Sequence, residues 1–277
     1  MSVTTEADAR TARSTGAAAA YARTVRRESG GPGLLLAHGG GGSVESNFGT
    51  ILDELAARFS VVGADYPGAG ATPRAEEPLR LDDLADQLVA AADAEGLRRF
   101  AVLGYSLGGN VAVRIATRYP ERVTALVLTA TFARADNRLE LAGGLWKALA
   151  DRDEPELAAS LLVPLALNPA VLDALSPQEV RQLVRDTALS LAPGQADHVA
   201  LLHGADLRAE IAALDVPALV VATTQDLLVP VGLQRELAHT LPGARFAELP
   251  TGHLPFAERP AEWAALVTDF LSGPAVR

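Results

Sequence analysis

The chain has 277 residues, of which 49% are hydrophobic, a formal net charge of −10 and no cysteine. A chain of this length can form one large α/β domain, or one domain with an insertion. The lack of cysteine excludes disulfides, thiolate metal sites and a cysteine nucleophile, and the negative charge argues against nucleic acid as a partner because phosphates would be repelled.

The termini and apolar runs indicate where the protein resides. No uncharged apolar run approaches the roughly 18 residues that a membrane span needs. The first segment, MSVTTEADARTAR, carries acidic residues and lacks the apolar region of a secretory signal. We therefore expect a soluble, cytoplasmic protein with no membrane partner. Residues 1–15 lack an apolar pattern and are expected to be disordered.

From Gly33 onward, short apolar runs alternate with helical periodicity, which indicates an α/β fold with a mostly parallel central sheet flanked by helices. The predicted strands of the first half are GLLLAHG, SVVGAD, RFAVLGYS and RVTALVLTA. Helices broken by prolines then replace this rhythm over residues 135–205, which we interpret as an inserted helical cap. The rhythm resumes with VPALVVAT, a helix from Pro230, the strand ARFAELP and a helix around AEWAALVTDFL. Residues 1–134 and 206–277 are the predicted core domain.

Ser106 lies in GYSLGG, between a predicted strand and a predicted helix. This is the context of a G-x-S-x-G nucleophile elbow, in which a sharp turn exposes the serine hydroxyl. Gly104 and Gly108 suit such a turn because a Cβ there would clash with neighbouring backbone. Ser106 could instead only cap the helix. The strand–turn–helix position favours the nucleophile.

A serine nucleophile needs a base and an orienting carboxylate. Of the five histidines, only His253 lies just past the last predicted strand and before the last helix, which favours it as the base over a merely exposed loop histidine. Asp226, just past the preceding strand, is the predicted acid, although it could instead cap the helix near Val229. Asp136, past the strand ALVLTA, is the competing acid.

The predicted pocket lies beyond the carboxyl ends of the strands, where open α/β sheets bind ligands. HGGGG follows the first predicted strand, and we expect the backbone N–H groups of Gly40 and Leu107 to form an oxyanion hole. The glycines could instead be a flexible turn. The predicted pocket residues are His38, Gly39, Tyr105, Phe132, Trp146 and Leu254. His38 could instead be structural, and Phe132 and Trp146 could instead pack against the core. We expect no metal and no organic cofactor, because no ligand cluster is present.

The chain resembles the α/β-hydrolase fold family from about Gly33 to Leu271. The matching landmarks are HGGGG, DYPGAG, GYSLGG, TQDLLVP and GHLPFAERP. The resemblance implies that Ser106 is the nucleophile, Asp226 the acid and His253 the base. It also implies a lid after the sixth strand of the family, where the helical insertion falls, and structural roles for the landmark residues Asp65 and Glu258.

The subfamily is less sharply marked. The ending TGHLPFAERPAEW is similar to that of 3-oxoadipate enol-lactonase-like and carboxylesterase members, and HGGGGSVESNF resembles carbon–carbon bond hydrolases. Those hydrolases usually have Asn before the serine and Trp after the histidine, where this chain has Tyr105 and Leu254. Haloalkane dehalogenases and epoxide hydrolases use Asp as the nucleophile, so Ser106 argues against both.

The sequence therefore predicts a serine hydrolase that cleaves an ester, lactone or thioester of a small, largely hydrophobic molecule through an acyl-enzyme on Ser106. Three alternatives stay open. One is a dedicated thioesterase or lactonase of a biosynthetic or catabolic pathway, and a second is a carbon–carbon bond hydrolase. The third is a non-hydrolytic protein that binds a small ligand in the same pocket.

Overall fold

A seven-stranded sheet forms the centre of the computed structural model, which describes residues 23–26, 31–274 and 276. The predicted disordered segment 1–15 lies outside the described residues. The strands are β1 (Arg23–Arg26), β2 (Gly33–Ala37), β3 (Ser60–Ala64), β4 (Phe100–Tyr105), β5 (Val123–Thr129), β6 (Ala218–Thr223) and β7 (Arg245–Leu249). Their order in the sheet is β1-β3-β2-β4-β5-β6-β7, with β1 antiparallel to β3 and every other neighbour parallel. The predicted mostly parallel sheet is confirmed.

The helices of the described residues connect these strands. They are α1 (Val44–Phe48), α2 (Leu52–Ala56), α3 (Leu81–Ala94), α4 (Leu107–Arg118), α5 (Asn137–Ala150), α6 (Pro155–Ala166), α7 (Pro169–Asp173), α8 (Pro177–Ser190), α9 (Gln195–Ala200), α10 (Arg208–Ala212), α11 (Val231–Thr240), α12 (Pro255–Glu258) and α13 (Pro260–Leu271), with a 3-10 turn at Gly49–Ile51. Among them, none is long and apolar enough to cross a bilayer.

Helices cover both faces of the sheet, which is why its central strands are continuous apolar runs. All five residues of β2 are buried. Leu35 faces the core that β2 shares with α3, α4, α10 and α11. Leu34 and Leu36 face the opposite core, which contains α1, α2 and α13. Because the strands are buried on both faces, their carboxyl ends are held in place. The loops of the candidate site begin at these ends.

We call residues 135–205 the cap. Helices α5 to α9 occupy this segment, between β5 and β6. Arg134 and Asp206 form an isolated antiparallel bridge at its base, so the chain enters and leaves the cap at the same place. Within the cap, α5 packs against α9 and α6 packs against α8. Buried residues of α5, α6 and α9 meet in one cluster, which contains Trp146, Leu162 and Val199.

Candidate active site

Ser106 lies at the sharp turn between β4 and α4. Its backbone has φ 53° and ψ −121°, a left-handed conformation that is strained for a residue with a side chain. The turn is possible because glycines flank it: a Cβ on Gly104 would lie 2.5 Å from the carbonyl oxygen of Gly108, and one on Gly108 would lie 1.9 Å from that of Ala37. This strand–turn–helix geometry is the one expected for the predicted elbow, and no cap hydrogen bond from the Ser106 side chain to α4 is present among the described residues.

The imidazole of His253 lies between Ser106 and Asp226. Its Nε2 is 3.0 Å from Ser106 Oγ, and its Nδ1 is 2.7 Å from Asp226 Oδ2. A carboxylate can only accept, so Nδ1 carries the proton and Nε2 is free to accept the serine proton. All three side chains are buried. Three residues that are distant in the chain thus form one hydrogen-bonded series.

The backbone of His253 is held from two sides. Its N–H donates to the carbonyl of Ala166 in α6, at 2.6 Å, and its carbonyl accepts from the Tyr105 hydroxyl, at 2.9 Å. The Tyr105 ring also packs on the imidazole, with centroids 5.2 Å apart. The two hydrogen bonds hold the backbone of His253, and the Tyr105 ring limits the movement of its imidazole. Together they keep Nε2 close to Ser106 Oγ.

Asp226 faces His253 and does not cap α11, whose N-cap is Pro230 and has no side-chain cap hydrogen bond. Its Oδ1 accepts from the N–H groups of Leu228 and Val229, at 2.9 and 2.8 Å, ahead of α11. Its Oδ2 accepts from Thr223 Oγ1 at 2.9 Å and faces His253. Asp136, the competing acid, instead accepts from Leu139 N–H at 2.8 Å and forms the N-cap of α5. The carboxylate beside the imidazole is therefore Asp226.

The glycine loop, residues 38–42, runs past the start of α4. A Cβ on Gly40 would lie 3.7 Å from the Leu107 side chain, so the two residues are neighbours. The other glycine N–H groups have acceptors: Asn47 Oδ1 for Gly39, His198 Nδ1 for Gly41 and the Gly39 carbonyl for Gly42. Among the described residues, no acceptor pairs with the Gly40 N–H. Leu107 is the first residue of α4, so its N–H also has no partner within the helix.

A cavity of about 320 Å³ lies between the cap and the carboxyl edge of the sheet, and both Ser106 and His253 face it. Four of the predicted pocket residues line it: Tyr105, Phe132, Trp146 and Leu254. Of the described lining residues, none is Asp, Glu, Lys or Arg. The wall is therefore uncharged and mostly aliphatic or aromatic.

His38 and Gly39 do not line this cavity, which corrects their prediction as pocket residues. The His38 ring is fully buried behind the glycine loop and stacks on Tyr66 with centroids 3.8 Å apart. Its Nε2 accepts from Tyr66 N–H at 2.9 Å, and its Nδ1 donates to the Gly39 carbonyl at 2.8 Å. Burial lowers the pKa of His38 to about 3, so the ring is neutral. The loop turns the imidazole towards the core.

Two landmark carboxylates bind backbone near the site. Asp65 Oδ1 accepts from Val44 N–H at 2.8 Å, beside the glycine loop, and burial raises its pKa. Both oxygens of Glu258 accept from Gly252 N–H, and Oε1 also accepts from Asn168 N–H at 3.0 Å. These contacts support the structural roles expected for Asp65 and Glu258.

The sequence assigned no role to His198, which the structure places against the glycine loop. Its Nδ1 accepts from Gly41 N–H at 3.1 Å. The two residues are 157 positions apart, and His198 lies in a six-residue helix with no recognisable motif around it. No local signal could have connected it with the site.

Comparisons with known proteins place the chain in a family. A family model described as alpha/beta hydrolase fold matches residues 32–260. The chain is 32% identical over 243 residues to a pyrrolizixenacetamide deacetylase of Xenorhabdus hominickii, covering 87% of this chain and 91% of that one. It is 30% identical over 257 residues to a pimeloyl-(acyl-carrier protein) methyl ester esterase of Chromobacterium violaceum, covering 88% and 96%.

A solved structure supports the same fold. The enol-lactonase from Burkholderia xenovorans LB400 superposes with a TM-score of 0.81 at 24% identity, over 91% of this chain and 96% of that one. At this identity the likeness concerns the fold alone. The matched family model and the two relatives cover most of the sequence, and both relatives are named for hydrolytic activities. This chain belongs to the α/β-hydrolase fold family, a family of hydrolases.

Proposed function

We propose that this protein is a serine hydrolase that cleaves an ester, lactone or thioester of a small, uncharged molecule through an acyl-enzyme on Ser106. The observation that carries the proposal is the hydrogen-bonded series from Ser106 Oγ through His253 to Asp226, with distances of 3.0 and 2.7 Å. A nucleophile, a base and an orienting carboxylate in this order activate a serine at neutral pH. Ser106 also faces a cavity that can hold a substrate.

The first half of the reaction acylates the serine. His253 Nε2 takes the Ser106 proton while Oγ attacks the substrate carbonyl carbon, and the carbonyl oxygen gains the negative charge. The N–H groups of Gly40 and Leu107 are the donors for that oxygen. The tetrahedral species then expels the leaving alcohol or thiol, which takes the proton from His253. The acyl group remains bonded to Ser106 Oγ.

The second half repeats these steps with water. His253 Nε2 accepts a proton from water as its oxygen attacks the acyl carbon, and the bond to Ser106 Oγ breaks as the serine regains a proton. Asp226 is held in place by hydrogen bonds from Leu228 N–H, Val229 N–H and the Thr223 hydroxyl, so its carboxylate keeps facing the imidazole in both halves. It keeps Nδ1 protonated and stabilises the imidazolium that forms in each half.

The cavity wall supports an uncharged substrate. A volume of about 320 Å³ suits a compact ligand. A carboxylate or ammonium group that entered it would lose its hydration and would find no opposite charge on the described wall, which is strongly unfavourable. Apolar contacts with Trp146, Phe132 and Leu254 would instead favour an aliphatic or aromatic group.

A second candidate is deacetylation of a neutral amide. It is favoured by the 32% identity to a relative that is named a deacetylase. The steps are the same, except that His253 must protonate a departing nitrogen before the carbon–nitrogen bond breaks. Turnover of p-nitroacetanilide, compared with that of p-nitrophenyl acetate, separates the two candidates because the acyl groups are identical.

The test of the proposed function is covalent labelling. A fluorophosphonate probe should label the wild-type protein once, and mass spectrometry should locate the adduct on Ser106. Ser106→Ala should not be labelled, and His253→Ala should lose turnover of p-nitrophenyl acetate while its circular dichroism spectrum is unchanged. A folded wild-type protein that never reacts with the probe would contradict the proposal and favour a protein that only binds a ligand.

A further inference from the structure

Residues of the cap contact the backbone of Gly41 in the glycine loop. The Gly41 N–H donates to Nδ1 of His198 at 3.1 Å, and the Gly41 carbonyl accepts from Ala192 N–H at 2.9 Å. The Trp146 ring lies against the same residue, because a Cβ on Gly41 would be 2.7 Å from its Cζ2. Trp146 Nε1 donates to Gln195 Oε1 at 2.7 Å. Residues 192–198, which we call the clamp, thus hold both polar groups of one loop residue.

Both ring nitrogens of His198 form hydrogen bonds with backbone groups. Its side chain is buried, and Nε2 donates to the carbonyl of Pro67 at 2.9 Å. A backbone N–H can only donate, so Nδ1 must be unprotonated to accept from Gly41, and Nε2 carries the proton. One imidazole therefore connects the glycine loop to the loop after β3, in a single tautomer.

The contact matters because it fixes the peptide unit next to the oxyanion donor. The Gly41 N–H belongs to the planar peptide between Gly40 and Gly41. The preceding peptide carries the Gly40 N–H, which is the proposed donor. Glycines have no side chain to restrict φ and ψ, so a run of them holds no orientation by itself. Donors lower the barrier only when they are already aimed at the developing charge. The clamp supplies an orientation that the loop sequence cannot.

We propose that His198 is a positioning residue, through which the cap holds the Gly40 N–H in the oxyanion hole. The proposal rests on the proposed function, because the hole matters only for acyl transfer. It implies that the hole is complete only while the clamp is seated on the glycine loop. The cap then does more than cover the cavity, since its position sets the reactivity of Ser106.

The charged groups around His198 act on its ring in opposite directions, because Arg74 favours the neutral form and Asp197 favours the protonated form. His38 and Tyr66 pack on it with ring centroids 6.1 and 5.9 Å away, and Asp197 and Arg74 form an ion pair beside it. Burial is the main cause that lowers the pKa of His198. Protonation would place a hydrogen on Nδ1, directly against the Gly41 N–H.

The experiment uses two amides that each reproduce one ring nitrogen. In His198→Asn, Oδ1 takes the place of Nδ1 and can accept from Gly41. In His198→Gln, the amide takes the place of Nε2 and leaves the Gly41 N–H without an acceptor. With p-nitrophenyl acetate we expect the Asn variant to retain kcat within about 3-fold, and the Gln variant to lose about 10- to 100-fold in kcat with KM little changed. His239→Gln, an exposed histidine on α11, is the matched control.

Equal losses in both amide variants, or no loss in a folded Gln variant, would overturn the proposal. Wild-type labelling by the fluorophosphonate keeps the two proposals separate. An unlabelled wild type removes the proposed function, whereas a labelled wild type with an unimpaired Gln variant removes only the role of His198.

Hydrogen exchange of the wild-type protein gives a readout that needs no variant. Phenylboronic acid forms a tetrahedral adduct with an activated serine and places an oxygen in the oxyanion hole. Because coupling between two sites is reciprocal, the adduct should slow exchange in the clamp as well as in residues 38–42. Slower exchange in the glycine loop alone would show that the clamp is not coupled to the hole.

Discussion

Asp226 contacts His253 at 2.7 Å through the ring nitrogen that does not face Ser106. The same carboxylate accepts two backbone N–H groups through its other oxygen. It is therefore held in place independently of the imidazole. Such a carboxylate can fix the tautomer of a histidine without moving when the ring gains a proton.

Replacement of this carboxylate should be far more damaging than replacement of the competing one. Asp226→Asn presents an amide to Nδ1 and favours the wrong tautomer, so we expect kcat for p-nitrophenyl acetate to fall by about 10³- to 10⁴-fold. Asp136→Asn keeps a good N-cap on α5, so kcat should change by less than about 2-fold. The reverse order of damage would move the acid to Asp136.

The elbow should not tolerate a methyl group at Gly108. Its Cβ would lie 1.9 Å from the carbonyl oxygen of Ala37, which belongs to β2 and cannot move without distorting the sheet. We expect Gly108→Ala to lower the free energy of unfolding by about 3 kcal/mol or more. Urea denaturation followed by circular dichroism measures the change.

Gly232 is the matched control for that substitution. It also lies near the start of a helix, α11, but a Cβ there meets no described atom within 4 Å. Gly232→Ala should therefore raise the free energy of unfolding by about 0.5–1 kcal/mol, because alanine has the better helix propensity. If both variants lose the same stability, close packing at the elbow is not the reason for its glycine.

Acid should destabilise the fold through His38. Its pKa is lowered from 6.5 to about 3 on folding, so the unfolded chain binds this proton first. The stabilisation is fully present above pH 6.5 and is lost as the pH falls from 6.5 towards 3, by about 1.4 kcal/mol per pH unit. Between pH 6.5 and 5.0 the loss from this one residue is about 2 kcal/mol.

His38→Gln isolates that contribution. The amide oxygen can replace Nε2 as the acceptor for Tyr66 N–H but does not titrate. Urea denaturation at both pH values should show a smaller loss of stability for the variant than for the wild type, even if the variant is less stable at pH 6.5. Identical losses would mean that His38 does not carry the acid sensitivity.

The uncharged cavity should discriminate against an anionic acyl chain. p-Nitrophenyl hexanoate and mono-p-nitrophenyl adipate have acyl chains of six carbons but end in a methyl group and a carboxylate. We expect kcat/KM to be at least about 100-fold lower for the adipate, because its carboxylate would be desolvated without a partner. Similar values for the two esters would contradict the assignment of an uncharged substrate.

Much of the fold follows from local patterns. The buried runs and the helical periodicity predict the parallel strands, since burial on both faces leaves a clear apolar signature. β1 was not predicted, because it is a short edge strand with one apolar residue, Val25, among Arg23, Thr24 and Arg26. It pairs with β3 in antiparallel register, with Arg23 opposite Ala64 and Arg26 opposite Val61.

The residues of the candidate site were also predictable only in part from the sequence. Position after a strand predicts Ser106, Asp226 and His253, because parallel strands bring their carboxyl ends to one edge. The same reasoning fails for His38, since the direction of its side chain depends on how the glycine loop turns. It also cannot reach His198, whose contact with Gly41 spans 157 positions and runs through the cap.

The amino-acid sequence by itself determined the α/β class and the family, because burial patterns and turn motifs are properties of short segments. Only the tertiary structure decided which carboxylate faces His253, which predicted residues line the cavity and which cap residue holds the glycine loop. Those outcomes depend on the direction of side chains from distant segments, and contacts between distant segments exist only after the chain has folded.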